Sequence, residues 1–389
     1  MRVVMAPDCF TGTLTARQAA SAMAEGWSSW APGDDVETVP LSDGGPGFVD
    51  ALTGSLPGRL LTSTVTGPTG EPVPATVLLV EASDDPSGLR SVYVESAQAC
   101  GAHLVAPGGR EPAVASSFGV GELMLVAVEE GAERVVVGLG GSVTVDGGAG
   151  LLAALGVGVG VGDVRLARGP RGLVGIEAGA LTGLLAARGR FAGVELVAAS
   201  DVDVPLLGRH GAVHGFARQK GATAEQLPPL EAVMTAWASA VVAAAAGVGA
   251  PDPGRLVALP GAGAAGGLGF ALLALGGTRR SGAETVAGAV RLADRLADAD
   301  LVLTGEGSFD WQSLRGKVIA GVAHVAGSLA VPVVVVAGQV AVGRRELAVA
   351  GVEAAYAVAD TPDTVAAAMA APADTLAART ARVARTWHR

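Results

Sequence analysis

Five segments of this chain place one or two carboxylates among glycines directly after an apolar run. APDCFTGTLT holds Asp8, LSDGGPGF holds Asp43, and GLGGSVTVDGGAG holds Asp146. ASDVDVPL adds Asp201 and Asp203, and TGEGSFDWQSLRGK adds Glu306 and Asp310. A single acid behind a strand commonly caps a helix. Five such loops in one chain point to an acid-lined cleft. Carboxylates of this kind suit Mg²⁺, which binds through one or two of them plus substrate phosphates. Phosphoryl transfer needs charge neutralisation, positioning and a base near the attacking hydroxyl. Lys220 and Lys317, both in glycine-bounded segments, are candidates for the positive charge. The glycines Gly140, Gly141, Gly147 and Gly148 let backbone N–H groups approach an anion closely. Asp146 in that loop has two readings, a group that holds a cation or takes a proton, and a helix cap.

Loops of this design need strands before them and helices after them. Valine-rich runs predict strands over Arg2–Met5, Arg134–Val137, Leu196–Ala198, Leu301–Thr304 and Val333–Val336. Longer Ala- and Leu-rich runs predict helices over Thr15–Trp27 with Thr15 as cap, Val120–Glu130, Leu227–Ala245, Val286–Ala297 and Ile319–Leu329. Their alternation describes a mainly parallel sheet covered by helices. Two stretches break the rhythm. Arg59–Val94 reads as antiparallel β structure, and the region from Gly156 to Gly193 is glycine-rich and aperiodic. A second domain inserted into a doubly wound one accounts for both. At 389 residues, two domains are the default.

Composition excludes several classes. The formal net charge is −10 and only 16% of residues are charged, so no nucleic-acid footprint is present. Two distant cysteines, Cys9 and Cys100, fit a reducing cytoplasm. The N-terminus reaches Pro7 and Asp8 before a signal-peptide core can form. Trp237–Ala250 is apolar but short, and reads as a buried helix, not a membrane span. No Walker A sequence occurs, since Gly316-Lys317 is followed by Val318. PGAGAAGGLG matches G-x-G-x-x-G at Gly261, Gly263 and Gly266, with Glu284 as the corresponding ribose ligand, but lacks a strong strand before it. His210 and His214 sit four apart among glycines and read as loop residues.

In order and density these motifs resemble the bacterial glycerate kinase family. The resemblance runs through APDCFTGTLT, LSDGGPG, VESAQACG, SFGVGELMLVAVEEGAERVVVGLGGSVTVDGGAGLLAALG, DVDVPLLG, RQKGAT, PGAGAAGGLG, LVLTGEGSFDWQSLRGK and PVVVVAG. It implies two α/β domains with the site between them, one a flavodoxin-like doubly wound parallel sheet and the other an inserted mixed α/β domain. The expected division gives residues 1–60 and 286–389, with part of 114–155, to the first. Residues 61–113 and 156–285 go to the second. The resemblance also implies ATP, Mg²⁺ and a small hydroxy acid, D-glycerate, with 2-phosphoglycerate as product. On this reading Asp43, Asp146 and Asp8 are the catalytic candidates, with Asp43 or Asp146 nearest the attacking hydroxyl. Asp201, Asp203, Glu306 and Asp310 are the metal candidates. Ser42, Gly44, Gly45, Gly140, Gly141, Ser142, Thr144, Lys220, Lys317 and Gln312 are the substrate- or phosphate-binding candidates.

The chain departs from the family pattern at several points. The family usually has lysine where Thr11 stands, glutamate at Pro46, asparagine at Val145 and Val204, and arginine at Ser308. Thr11 and Ser308 each offer only one neutral hydroxyl to an anion. Two readings therefore stand side by side. One is an ATP-dependent kinase of glycerate or a related hydroxy acid. The other is a homologue that binds a metabolite without turning it over.

Overall fold

The computed structural model describes residues 1–160, 162–249, 252–311, 313–314 and 316–388. Its strands in chain order are β1 (Arg2–Met5), β2 (Asp35–Thr38), β3 (Arg59–Thr66), β4 (Pro72–Val80), β5 (Ser91–Glu95), β6 (Arg134–Gly138), β7 (Glu195–Ala199), β8 (Thr278–Arg280), β9 (Leu301–Thr304), β10 (Ser308–Phe309), β11 (Val333–Ala337), β12 (Gln339–Val340) and β13 (Ala354–Ala357).

The chain divides into two compact units. The first comprises 1–43, 47–57 and 281–389, and the second 44–46 and 58–280. The first is built on a parallel sheet of order β13-β11-β9-β1-β2. Read from the other edge this is the flavodoxin-like order, with the switch point between β1 and β9. The strands form because Val3, Val4, Val302 and Val333–Val336 are β-branched and buried on both faces. Each fully buried valine contributes about 1.5–3 kcal/mol. Ahead of the helix Ala16–Trp30, Thr15 closes a capping box with Gln18. That helix lays Ala19, Met23 and Trp27 on the core with Leu376 and Val383 of the helix Pro372–Trp387.

The second unit carries a mixed sheet of order β3-β4-β5-β6-β7-β8. β3, β4 and β5 run antiparallel, as the Thr- and Val-rich stretch predicts, and β5 to β8 run parallel. Residues 114–155 belong wholly to this unit, a correction to the expected division, because β6 pairs with β5 and β7. The predicted single helix over Val286–Ala297 is two, Gly282–Ala289 and Leu292–Leu296. Arg291 between them takes a left-handed φ of 52°, which ends the first helix. The helix Leu227–Gly247 is long and apolar enough to cross a membrane. Its Leu230, Met234, Trp237 and Val241 nonetheless lie in the core of the second unit.

Candidate active site

In the first unit, the acids that follow β1 and β9 stand at the carboxyl ends of the two strands flanking the switch point, where open α/β sheets bind ligands. Asp8 follows β1 and Glu306 follows β9. The Asp8 N–H donates to the Gly305 carbonyl at 2.8 Å, and Thr304 Oγ1 donates to the Ala6 carbonyl at 2.8 Å. A Cβ on Gly305 would lie 2.0 Å from the Val336 carbonyl oxygen, so only glycine lets these strand ends come so close. Asp8 and Glu306 are buried, at 7% and 8% exposure. Burial pushes the Asp8 carboxyl well above its ordinary range, and the neighbouring Asp43 charge adds to it. Burial raises Glu306 too, while Lys317 works in the opposite direction. Asp43 is the more open acid, its side chain 30% exposed, with Lys317 Nζ 4.0 Å from its Oδ2. Glu306 Oε1 is buried with no hydrogen-bond partner among the described residues. Asp310 is half-buried beside them and its N–H donates to Ser313 Oγ at 3.2 Å. Ser42 is buried in the same unit. Gln312 lies outside the described residues.

In the second unit, the loop after β6 is locked from several sides. Asp146 is fully buried. Its Oδ2 accepts from the Ser117 N–H at 2.9 Å, the Ser117 hydroxyl at 2.8 Å and the Gly150 N–H at 3.1 Å, and its Oδ1 accepts from the Gly148 N–H at 3.1 Å. It thus ties together the amino ends of the helices Phe118–Glu129 and Ala149–Ala154, where a carboxylate also meets the favourable end of each helix dipole. Burial raises its pKa, and those donors oppose the rise. The cap reading describes this residue, with the cap spanning two helices. Val145 is 1% exposed and faces the core.

Lys220 is also buried, and its Nζ donates to Ser142 Oγ at 2.8 Å and to the Thr144 carbonyl at 2.7 Å. The PGAGAAGGLG segment packs on the same loop. Ala265, Gly266 and Gly267 are consecutively left-handed, and the Gly147 N–H donates to the Gly266 carbonyl at 3.0 Å. A Cβ on Gly266 would sit 1.9 Å from the Thr144 carbonyl oxygen. These glycines therefore serve loop-on-loop packing, which accounts for them without a dinucleotide. Gly44, Gly45, Gly140 and Gly141 belong to this unit as well, and the Gly140 Cβ position falls 2.6 Å from the Gly45 Cα.

The four metal candidates do not make one ligand group. Among the described residues no set of three or more His, Cys, Asp or Glu side chains is placed to hold a metal ion. Asp203 is exposed and pairs with Arg279 at 2.5 Å, while Asp201 beside it is half-buried. His214 lies in the short helix Ala212–Phe216 and not in a loop.

With that geometry in place, the chain matches the sequence profile of the glycerate kinase family over residues 3–388. This chain belongs to the glycerate kinase family. Within that family it is similar to a glycerate kinase of Bacillus subtilis strain 168, 38% identical over 364 residues, covering 92% of this chain and 90% of the relative. A glycerate 2-kinase of Escherichia coli K12 is 38% identical over 344 residues, covering 87% of this chain and 85% of the relative. A solved structure described as a candidate glycerate kinase 2 from Salmonella typhimurium LT2 superposes with a TM-score of 0.78 at 35% identity, covering 99% of this chain and 98% of that one. Membership makes the chain a small-molecule kinase by family, and the fold is that of two α/β domains.

Sequence reasoning missed Ser117 and Arg279. Ser117 precedes an apolar helix as a hydroxyl N-cap would, a signal that could have linked it to an acid. Arg279 sits in β8, half-buried, and its Nε donates to the Ser200 carbonyl at 3.0 Å. Nothing local in TRR marks it out.

Proposed function

We propose that the chain transfers the γ-phosphoryl group of ATP, presented with Mg²⁺, to a hydroxyl of D-glycerate, giving 2-phosphoglycerate and ADP in the cytoplasm. The observation that carries this reading is the gathering of Asp8, Asp43, Glu306 and Lys317 at the switch point of the flavodoxin-like sheet. Of the two acids left open as base, Asp43 is partly exposed and beside a cation, whereas Asp146 is enclosed by its own helix ends. Asp43 accepts the hydroxyl proton as the oxygen bonds to phosphorus and the bond to the β,γ-bridging oxygen breaks. Lys317, with its Nζ 4.0 Å from Asp43 Oδ2, neutralises phosphate charge. The orphan Oε1 of Glu306, with Asp8 near it, fits a hard divalent cation. Mg²⁺, when bound there, supplies neutralisation of the triphosphate.

The test is a panel of hydroxy acids incubated with ATP and Mg²⁺, products identified by ³¹P NMR. D-Glycerate is expected to yield 2-phosphoglycerate and to exceed L-glycerate, lactate and tartronate. Absence of any phosphorylated acid, with an active family member run alongside, would overturn the kinase reading in favour of a metabolite-binding homologue.

A further inference from the structure

Lys220 is a buried cation with an unusual set of neighbours. It is 5% exposed, and no carboxylate lies within ion-pair distance of it among the described residues. The buried Asp146 carboxylate acts on it electrostatically without forming an ion pair, so burying the ammonium is costly, and apolar residues of like volume are often as good or better for stability. What Lys220 does hold is the loop after β6, gripping Ser142 Oγ and the Thr144 carbonyl at once. Its Nζ lies 3.0 Å from the position a Gly266 Cβ would take, so it also fills the gap between that loop and the left-handed turn at 265–267. Trp237 Nε1 fixes the far end of the same loop at the Gly147 carbonyl, 3.0 Å away, and Asp146 fixes its exit. Within Ser142–Thr144 the Val143 N–H donates to the Cys100 carbonyl at 2.9 Å, and the Lys220 ammonium adds its grips on the residues to either side.

We propose that Lys220 is a positioning residue for phosphoryl transfer, and that its buried ammonium pins Ser142–Thr144 so that the glycine-rich loop keeps one shape. The proposal rests on the kinase reading for its functional consequence and on the loop geometry for its structural one. Burial lowers the lysine pKa to about 8, and the charges of Cys100 and Asp146 oppose that fall. Misplacement of a positioning loop by about 1 Å commonly costs on the order of a hundredfold in rate.

Lys220→Met, of similar length and apolar, separates this role from a merely structural one. In hydrogen exchange followed by mass spectrometry, the variant is expected to lose protection over 140–148 while β6 and the helix Leu227–Gly247 keep theirs and Tm does not fall. Its kcat is expected to drop about a hundredfold with the KM for ATP and glycerate within threefold. Ser142→Ala, which removes one of the two grips, should show a smaller change of the same pattern. Unchanged exchange over 140–148 would overturn the proposal, as would a uniform loss of protection with a lowered Tm. If the wild type makes no phosphoglycerate, the kinase reading fails by itself and the exchange data still decide what Lys220 holds.

Discussion

Replacing Asp146 distinguishes a structural carboxylate from a reacting one. Its Oδ2 carries three donors and its Oδ1 one, all buried. Asp146→Ala strands three backbone N–H groups and the Ser117 hydroxyl, which itself accepts from the Leu151 N–H at 3.0 Å. Each stranded donor costs about 1–3 kcal/mol singly; because they share one acceptor, the sum is nearer 4–6 kcal/mol. Asp146→Asn keeps its amide oxygen in the Oδ2 place and turns its NH₂ towards Gly148, losing one bond, about 1–2 kcal/mol. For a domain of this size 1 kcal/mol moves Tm by roughly 2–4 °C, so the drops are about 10–20 °C for alanine and 3–6 °C for asparagine. Calorimetry on both variants with the wild type checks this, alongside kcat measured well below the melting range. The asparagine variant should retain most of its turnover. An asparagine variant with unchanged Tm and abolished turnover would refute the cap and make Asp146 the base.

Asp8→Asn should stabilise the metal-free protein at pH 8 while abolishing turnover. Because burial raises the Asp8 pKa in the folded state, the ionised form opposes folding, and the gain should shrink as pH falls below the folded pKa, where wild-type Asp8 is also neutral. Thermal melts from pH 4 to 8 follow it, and a gain that grows towards acid would contradict the sign. Gly266→Ala should lower Tm by several degrees and expose 140–148 to exchange, since its Cβ collides with the Thr144 carbonyl; an unaffected melt would show that the two loops are not packed as described. Addition of Mg²⁺ without nucleotide should raise the Tm of the wild type more than that of Glu306→Gln. Equal shifts would place the cation elsewhere.

The strand runs were legible because a strand buried on both faces needs consecutive β-branched residues, and Val135–Val137 and Val333–Val336 are of that kind. The cap at Thr15 was legible for a similarly local reason. Which sheet a strand joins is a non-local matter, and β6 was split from its true neighbours for want of any local sign. The acids of the candidate site were all visible, but not their roles. A carboxylate that clamps two helix ends and one that stands at an open strand end carry the same flanking glycines, and Ser117 is remote in sequence from Asp146. Asp203 looked like a metal ligand because its partner, Arg279, lies far along the chain, in the next strand β8. The glycines of PGAGAAGGLG answered to backbone packing, which composition cannot distinguish from ligand approach.

The most direct test of the central claim is the turnover of Asp43→Asn on D-glycerate with ATP and Mg²⁺. Removal of a general base from a positioned hydroxyl costs about 10²–10⁴-fold in kcat. A loss in that range is expected, with Tm held and substrate KM little changed. A variant that phosphorylates glycerate at the wild-type rate would contradict it.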